Sequence, residues 1–288
     1  VLWGTLGLAV RALFADGLTP LDTATWRAAG AFGLLLIFSL LTKRDALRIS
    51  RRDLPLLAAY GAVSVSGFMT VYFTAIELTT VATAAVLLYT APAWVVVMAR
   101  LFYGEPLTPM KTAAVVLVVA GSVLVIGAFG PAAVRVTPAG LLAGMGAGLT
   151  YALYSIFGKT ALRRLSPLTT VMYTLGFGAI LLTVMSGGIP RLPATTAAPM
   201  AYMVIFPTAL AYMLYIRGLE RVEAGRASVV ATLEPVVAAL AGTLVLHEPF
   251  GATQGIGTTL VLAGIVLVQG EQLLRRSYRR PASRRKTG

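Results

Sequence analysis

The chain has 288 residues, 57% of them apolar and only 12% charged, with a mean hydropathy of +0.82. A soluble domain carries about 25% charged residues, so this chain lacks the polar surface to face water all round, and its main solvent is lipid. The net charge of +13 alone would suggest nucleic acid, but the basic residues sit in short runs between apolar stretches, the positive-inside pattern of a membrane protein, and no nucleic-acid partner is expected. Cysteine is absent and the single histidine, His247, has no His or Cys partner. Disulfides and thiol chemistry are thereby excluded, and neither a metal site nor a cofactor is expected.

A helix crossing about 30 Å of hydrocarbon needs about 20 residues. Apolar segments of that kind lie at 1–14, 23–41, 54–76, 80–101, 110–129, 138–158, 167–186, 198–216, 224–246 and 253–270. The first reads as clipped at its start, and no cleavable signal peptide is visible. Charge or Gly/Pro marks the breaks: TKRDALRISRRD at 42–53, GEPL at 104–107, GP at 130–131 and GGIPRLP at 187–193. Of the 24 Lys and Arg, all but Arg11, Arg27, Arg135 and Arg191 fall on one set of alternate loops and on the tail after Glu271. That side is expected to be cytoplasmic, with both termini inside and the loops at 130–137 and 187–197 outside.

The sequence repeats itself. A shift of 143 residues places Tyr72 on Tyr215, Glu77 on Glu220, Ala84 on Ala227, Pro92 on Pro235, Glu105-Pro106 on Glu248-Pro249, Gly121 on Gly264 and Gly127 on Gly270. A shift near 147 places Pro20 on Pro167 and Trp26 on Tyr173. The units are 1–129 and 137–270, followed by a basic cytoplasmic tail at 271–288. Five spans per half is an odd number, so the second copy is inverted in the membrane. The expected fold is an all-α integral membrane protein of ten helices in two inverted five-helix repeats, a device of secondary transporters.

Several segments carry a resemblance: LWG at 2–4, WRAAGAF at 26–32, TTVATAAVLLYTAPAWVVVMARLFYGEPL at 79–107 and its counterpart GLERVEAGRASVVATLEPVVAALAGTLVLHEPF at 218–250. In their order, spacing and duplication the chain resembles the EamA-type, ten-span members of the drug/metabolite transporter superfamily, which include amino-acid and metabolite exporters. The resemblance implies a central cavity lined mainly by spans 1, 3, 4, 6, 8 and 9, with spans 5 and 10 more peripheral. It does not fix the substrate.

Glu234 stands about ten residues into span 9, between Leu233 and Pro235. A carboxylate at that depth costs about 2.5–3.5 kcal/mol, so it is expected to face protein or water. There it binds a proton or a substrate amine, or it is tied to Arg27 or to backbone groups. Its repeat counterpart is Ala91, and that of Arg27 is Thr174. For Arg27, a structural ion pair or a snorkelling side chain is the simpler expectation. Pro92 and Pro235 interrupt spans 4 and 9 and disturb the carbonyls of Leu88 and Ala231, which suits gating bends or static kinks. Trp3, Tyr72, Tyr89, Trp94, Tyr151, Tyr154, Phe157, Tyr215 and Thr232 are candidates to line a substrate cavity, where hydroxylated rings grip an amphipathic solute. For any single ring, helix packing is the simpler account.

Gly140, Gly144 and Gly148 have the spacing that lets helix backbones approach. The two Glu-Pro pairs read as helix-opening features of spans 5 and 10. FGKT at 157–160 is not a phosphate loop, because Leu153 stands where the first Gly is required and no strand precedes it. GMGAG at 144–148 lies inside an apolar helix. No ATPase is visible. With transport thus left to gradients, the resemblance implies export of amino acids or related metabolites across the inner membrane by alternating access, with proton coupling open. The alternatives are a multidrug exporter of lipophilic cations, with Glu234 as cation partner, and an intramembrane enzyme, disfavoured because no nucleophile–base pair stands at depth. The small-molecule substrate's identity and the oligomeric state are not readable from the sequence.

Overall fold

The computed structural model describes residues 1–126, 137–247 and 251–278. Every regular element among them is a helix. Ten apolar helices follow one another: α1 (Leu2–Ala15), α2 (Pro20–Thr42), α3 (Leu54–Leu78), α4 (Thr83–Tyr103), α5 (Pro109–Val125), α6 (Pro138–Ala161), α7 (Pro167–Met185), α8 (Ala194–Arg221), α9 (Ala224–Val245) and α10 (Ala252–Glu271). Eight are long and apolar enough to cross a membrane, while α1 and α5 are shorter apolar helices. α10 continues as helix to Tyr278. The loop 127–136, Glu248-Pro249 and the end of the basic tail lie outside the described residues.

Local chemistry sets the helix starts. Thr19, Thr108, Thr137 and Ser166 each accept a hydrogen bond from the backbone N–H three residues on, and each precedes a proline at the first helical position. A hydroxyl satisfies one orphan donor there, and proline has none to lose. At the far ends of α4 and α9, Gly104 (φ 65°) and His247 (φ 56°) are left-handed caps. These two are repeat mates. The only non-glycine residue with positive φ among those described is thus the single histidine.

The main contacts between the halves are unchanged when spans 1–5 are exchanged for spans 6–10. α2 packs on α7, α4 on α9 and α5 on α10, while α3·α6, α3·α7 and α4·α6 correspond to α8·α1, α8·α2 and α9·α1. Glycine permits the close approaches. A Cβ on Gly144 would meet Leu87 at 2.3 Å, and one on Gly148 the Leu87 carbonyl at 2.8 Å. Between α5 and α10, a Cβ on Gly121 would sit 2.7 Å from the Gly257 carbonyl oxygen, and one on Gly257 2.6 Å from that of Gly121.

Four helices are interrupted, also in pairs. α3 carries a π turn at Ala62–Gly67 and α8 one at Ile205–Leu210, offset by the same 143 residues. α4 breaks after Leu88 and restarts at Ala91, and α9 breaks after Ala231 and restarts at Leu233. These two breaks fall where Pro92 and Pro235 remove N–H donors. The π turns have no such shared signal, since Pro207 in α8 corresponds to Ser64 in α3.

The left-handed cap yields a first test. An L side chain at positive φ costs roughly 1–2 kcal/mol that glycine does not incur. His247→Gly is expected to raise the unfolding temperature in detergent and to leave transport intact, whereas a loss of stability would mean that the imidazole makes contacts that outweigh the strain.

Candidate substrate cavity

The two proline breaks meet where α4 crosses α9. Tyr89, Pro92, Val95, Ala231 and Thr232 face Tyr151, Ser155 and Tyr215 around a cavity of about 10 Å³, roughly the room one water centre needs. Tyr89 and Thr232 are repeat mates, so both halves supply the same position of this lining. The Tyr215 and Ser155 hydroxyls hydrogen-bond at 2.6 Å across it. Thr232 turns its own hydroxyl back onto the Val229 carbonyl at the break, as Thr90 does onto Leu87 in α4. Such bonds serve backbone carbonyls that the interrupted helix leaves open.

Glu234 lies two residues beyond Thr232 on α9. The Tyr151 hydroxyl donates to its Oε2 at 3.3 Å, and the Tyr89 hydroxyl is a second partner of the carboxylate. Gly4 of α1 packs against the Glu234 backbone carbonyl, where a Cβ would sit at 2.7 Å.

Rings surround this point. Trp3 meets Tyr215 at 5.3 Å, Tyr212 at 5.5 Å and Tyr151 at 6.5 Å between centroids. Its Nε1 has no hydrogen-bond partner among the described residues. Phe68 lies at 5.6 Å from both Tyr72 and Tyr151, which brings Tyr72 to the edge of the group. Tyr154 is buried deeper, against Tyr60 at 4.9 Å and Tyr212 at 5.0 Å, and Phe157 stacks on Tyr60 at 5.6 Å. Trp94 packs against the main apolar core. Pro92 and Pro235 are both buried in protein. Tyr60, Phe68 and Tyr212 belong to the ring cluster although sequence pattern does not mark them. All three lie on the helices that carry π turns, Tyr60 and Phe68 on α3 and Tyr212 on α8.

Arg27 stands elsewhere than in an ion pair with Glu234. Its Nε donates to Thr208 Oγ1 at 3.2 Å, and among the described residues no direct salt bridge joins the two charges. Thr208 in turn donates to the Met203 carbonyl at 2.7 Å. That carbonyl is four residues before Pro207, the one this proline deprives of its usual donor. The α8 π turn thus carries the threonine that holds Arg27.

A second polar group lies where α4, α5, α9 and α10 converge. Lys111, 1% exposed, reaches Glu223 at 2.7 Å and Glu105 at 3.7 Å. Arg226 binds Glu223 at 3.0 Å and Glu271 at 3.5 Å, and donates to the Val268 carbonyl at 2.9 Å. The Glu105 carboxylate also accepts from the Ala224 and Gly225 N–H groups at 2.7 and 3.3 Å, the positive end of α9. The expectation that Glu105 opens α5 is therefore corrected: Thr108 caps that helix, and Glu105 caps a helix of the opposite half. Its mate Glu248 lies outside the described residues. Lys111 and Arg226 count in sequence only as orienting charges. Arg226–Glu223 is a local pair three residues apart, but Lys111–Glu223 spans 112 residues and Arg226–Glu271 joins α9 to α10, and no local pattern announces those.

Comparison with known proteins agrees with this architecture. The profile of the EamA-like transporter family matches residues 1–127 and 138–269. An uncharacterized transporter of Archaeoglobus fulgidus is 31% identical over 94% of this chain and 93% of its own length. An uncharacterized inner membrane transporter of Salmonella typhimurium is 23% identical over 93% and 91%. A probable terminal-alkyne amino-acid exporter of Streptantibioticus cattleyicolor is 25% identical over 95% and 88%. A solved crystal structure superposes with a TM-score of 0.82 at 20% identity, covering 96% of this chain and 95% of the other, a likeness of fold.

The ionic group makes stability depend on acid. Burial alone would push the Glu223 carboxyl up, but Lys111 and Arg226 outweigh it and hold the group below its ordinary value of 4.5. A carboxyl depressed in the folded state stabilises above its unfolded pKa, and that stabilisation is lost as pH falls through the folded one. Acidification below the ordinary carboxylate range is expected to lower the unfolding temperature, and Glu223→Gln to blunt that fall. Lys111→Met strands buried carboxylates and should cost roughly 3–5 kcal/mol; a stability equal to the parent's in detergent melts would contradict the network.

Proposed function

The chain belongs to the EamA-like transporter family, and from that premise we propose that it is a secondary transporter exporting a small organic solute, an amino acid or related metabolite, by alternating access. It is a multi-pass membrane protein. We place it in the cell's inner membrane with both termini in the cytoplasm. One observation carries the choice of solute: the point where two broken helices cross is lined by tyrosine and serine hydroxyls, and one of those tyrosines, Tyr151, donates to the neighbouring Glu234 carboxylate at 3.3 Å. Such a lining suits amphipathic zwitterions. A phosphate ester would need several Arg or Lys at this depth. The relative named a probable amino-acid exporter points the same way. A lipophilic cation would also find Glu234 and aromatic faces, but it would meet the Arg27 guanidinium as a like charge.

The paired breaks supply the motion. Helices interrupted at Pro92 and Pro235 bend without tearing a continuous hydrogen-bond ladder, and the symmetric π turns give α3 and α8 the same freedom. Glu234 supplies a means of coupling. A carboxylate held by neutral hydroxyls, with no cation in direct contact, can exchange a proton during the cycle, so that proton and substrate amine compete for it.

Flux in proteoliposomes tests this function. An imposed pH gradient should accelerate amino-acid flux in the parent, and Glu234→Gln should abolish that acceleration while leaving the fold intact. Unchanged gradient-driven flux in Glu234→Gln would remove the residue from coupling, and flux of lipophilic cations alone would favour the multidrug alternative. Pro92→Ala and Pro235→Ala should slow turnover more than they weaken binding. For orientation, a cysteine placed at Ser50 in this Cys-free chain should resist impermeant thiol reagents in intact cells; labelling there would invert the topology.

A further inference from the structure

Two charged side chains near the helix breaks lack an opposite charge in direct contact. Glu234 is held by tyrosine hydroxyls. Arg27 has five N–H donors, yet its only side-chain hydrogen bond among the described residues is Nε to Thr208. The terminal nitrogens, whose parallel N–H groups match the edge of a carboxylate, have no protein acceptor there. Arg27 lies two turns into α2 and Glu234 midway along α9, and both are partly exposed. An unpaired charge in a low-dielectric setting costs several kcal/mol. A snorkelling Arg27 would instead have carried its guanidinium out to the membrane surface.

The two charges belong to one group of side chains. Thr208, which holds Arg27, stands one turn before Tyr212 on α8. Tyr212 packs edge-on against Trp3 at 5.5 Å, and Trp3 packs against Tyr151, the donor to Glu234. No salt bridge joins the two charges among the described residues, and Thr208, Tyr212, Trp3 and Tyr151 form a line of neighbouring side chains from one to the other. They also come from opposite halves, Arg27 from α2 and Glu234 from α9, and each has a neutral repeat mate, Thr174 and Ala91. A solute with a charge at each end therefore ties one half to the other, which is the differential contact a ligand needs to shift a conformational equilibrium.

We infer that Arg27 and Glu234 are a split charge pair that binds the two ends of a zwitterionic solute, the Arg27 terminal nitrogens taking its carboxylate and Glu234 its ammonium group. Trp3, Tyr151 and Tyr212 then surround the carbon skeleton between the two ends. Thr208 aims the guanidinium by holding Nε and leaving the fork open. The inference rests on the proposed transport of amino-acid-like solutes and adds the residues that read the two charges.

The test measures binding to the purified full chain in detergent at neutral pH. The probes are L-phenylalanine, its methyl ester, which lacks the carboxylate, and 3-phenylpropionate, which lacks the amine. The parent should bind phenylalanine at least about tenfold more tightly than either analogue, the scale of one charged contact. Arg27→Gln should erase the preference over the ester and keep the preference over 3-phenylpropionate, and Glu234→Gln should do the reverse. If Arg27→Gln weakens all three probes alike, Arg27 is a brace between α2 and α8 and the pair is overturned, while amino-acid transport stands. If Arg27→Gln does not fold, the parent alone decides, and equal binding of phenylalanine and its ester overturns the pair. If no probe binds the parent while lipophilic cations do, the pair and the proposed substrate class fall together.

Discussion

A backbone N–H or C=O in the hydrocarbon core has no water to turn to, so every break in a membrane helix must be answered by another protein group or by a wet cavity. Four of the ten helices break in this protein, and the polar site follows from how those breaks are served. At Pro207 the freed Met203 carbonyl takes the Thr208 hydroxyl, and Thr208 then holds Arg27. At the α9 break Thr232 folds back onto Val229, and at the α4 break Thr90 folds back onto Leu87. The hydroxyls that keep the interrupted backbone tolerable are neighbours of those that surround Glu234. The polar lining where the broken helices cross and the breaks themselves thus arise from the same backbone defects.

On this symmetric frame the charges are asymmetric. The π turns, the proline breaks, the left-handed caps and the helix pairings all recur at the repeat. Arg27, Lys111, Glu223, Arg226 and Glu234 do not: their mates are Thr174, Gln254, Thr80, Thr83 and Ala91. With an odd number of spans per half, exchanging the halves also exchanges the two faces of the membrane. In the proposed alternating-access cycle, perfect symmetry would therefore give the two access states equal energy. Side chains charged in one copy alone lift that equality while leaving the backbone's capacity to interconvert untouched.

Most of the frame is legible in the sequence, because in lipid hydropathy and span length are the dominant constraint. Helix ends fall within a few residues of the apolar segments, helped by Thr-Pro and Ser-Pro starts that announce themselves. The proline breaks are visible for the same reason, since proline acts through its own covalent structure. The π turns are not visible: Ser64 and Pro207 occupy equivalent positions with different chemistry, and a change of one residue per turn leaves hydropathy unchanged. Glu234 stands out as a charge in an apolar run, whereas Glu105, beside a proline in a loop, looks like a cap for the helix that follows it. Its true partners, the Ala224 and Gly225 N–H groups, depend on how the halves dock, and a linear pattern does not hold that information. Tyr212 and Tyr60 are hidden among the chain's other tyrosines for the same reason.

The carboxylates divide by what answers them. Glu105, Glu223 and Glu271 lie among Lys111, Arg226 and the N-terminus of α9. A buried charge so compensated is expensive to remove and has little reason to change state, so this seam joins the halves where α4, α5, α9 and α10 meet. Glu234 has only hydroxyl donors in direct contact. A hydroxyl can donate to a carboxylate or accept from a protonated carboxyl, so it accommodates either state without leaving a buried group unmatched. Fixed cations around Glu234 would have made it another structural seam. In the proposed function, the use of tyrosines there, with Arg27 held by Thr208, is what would let a proton or an ammonium group come and go.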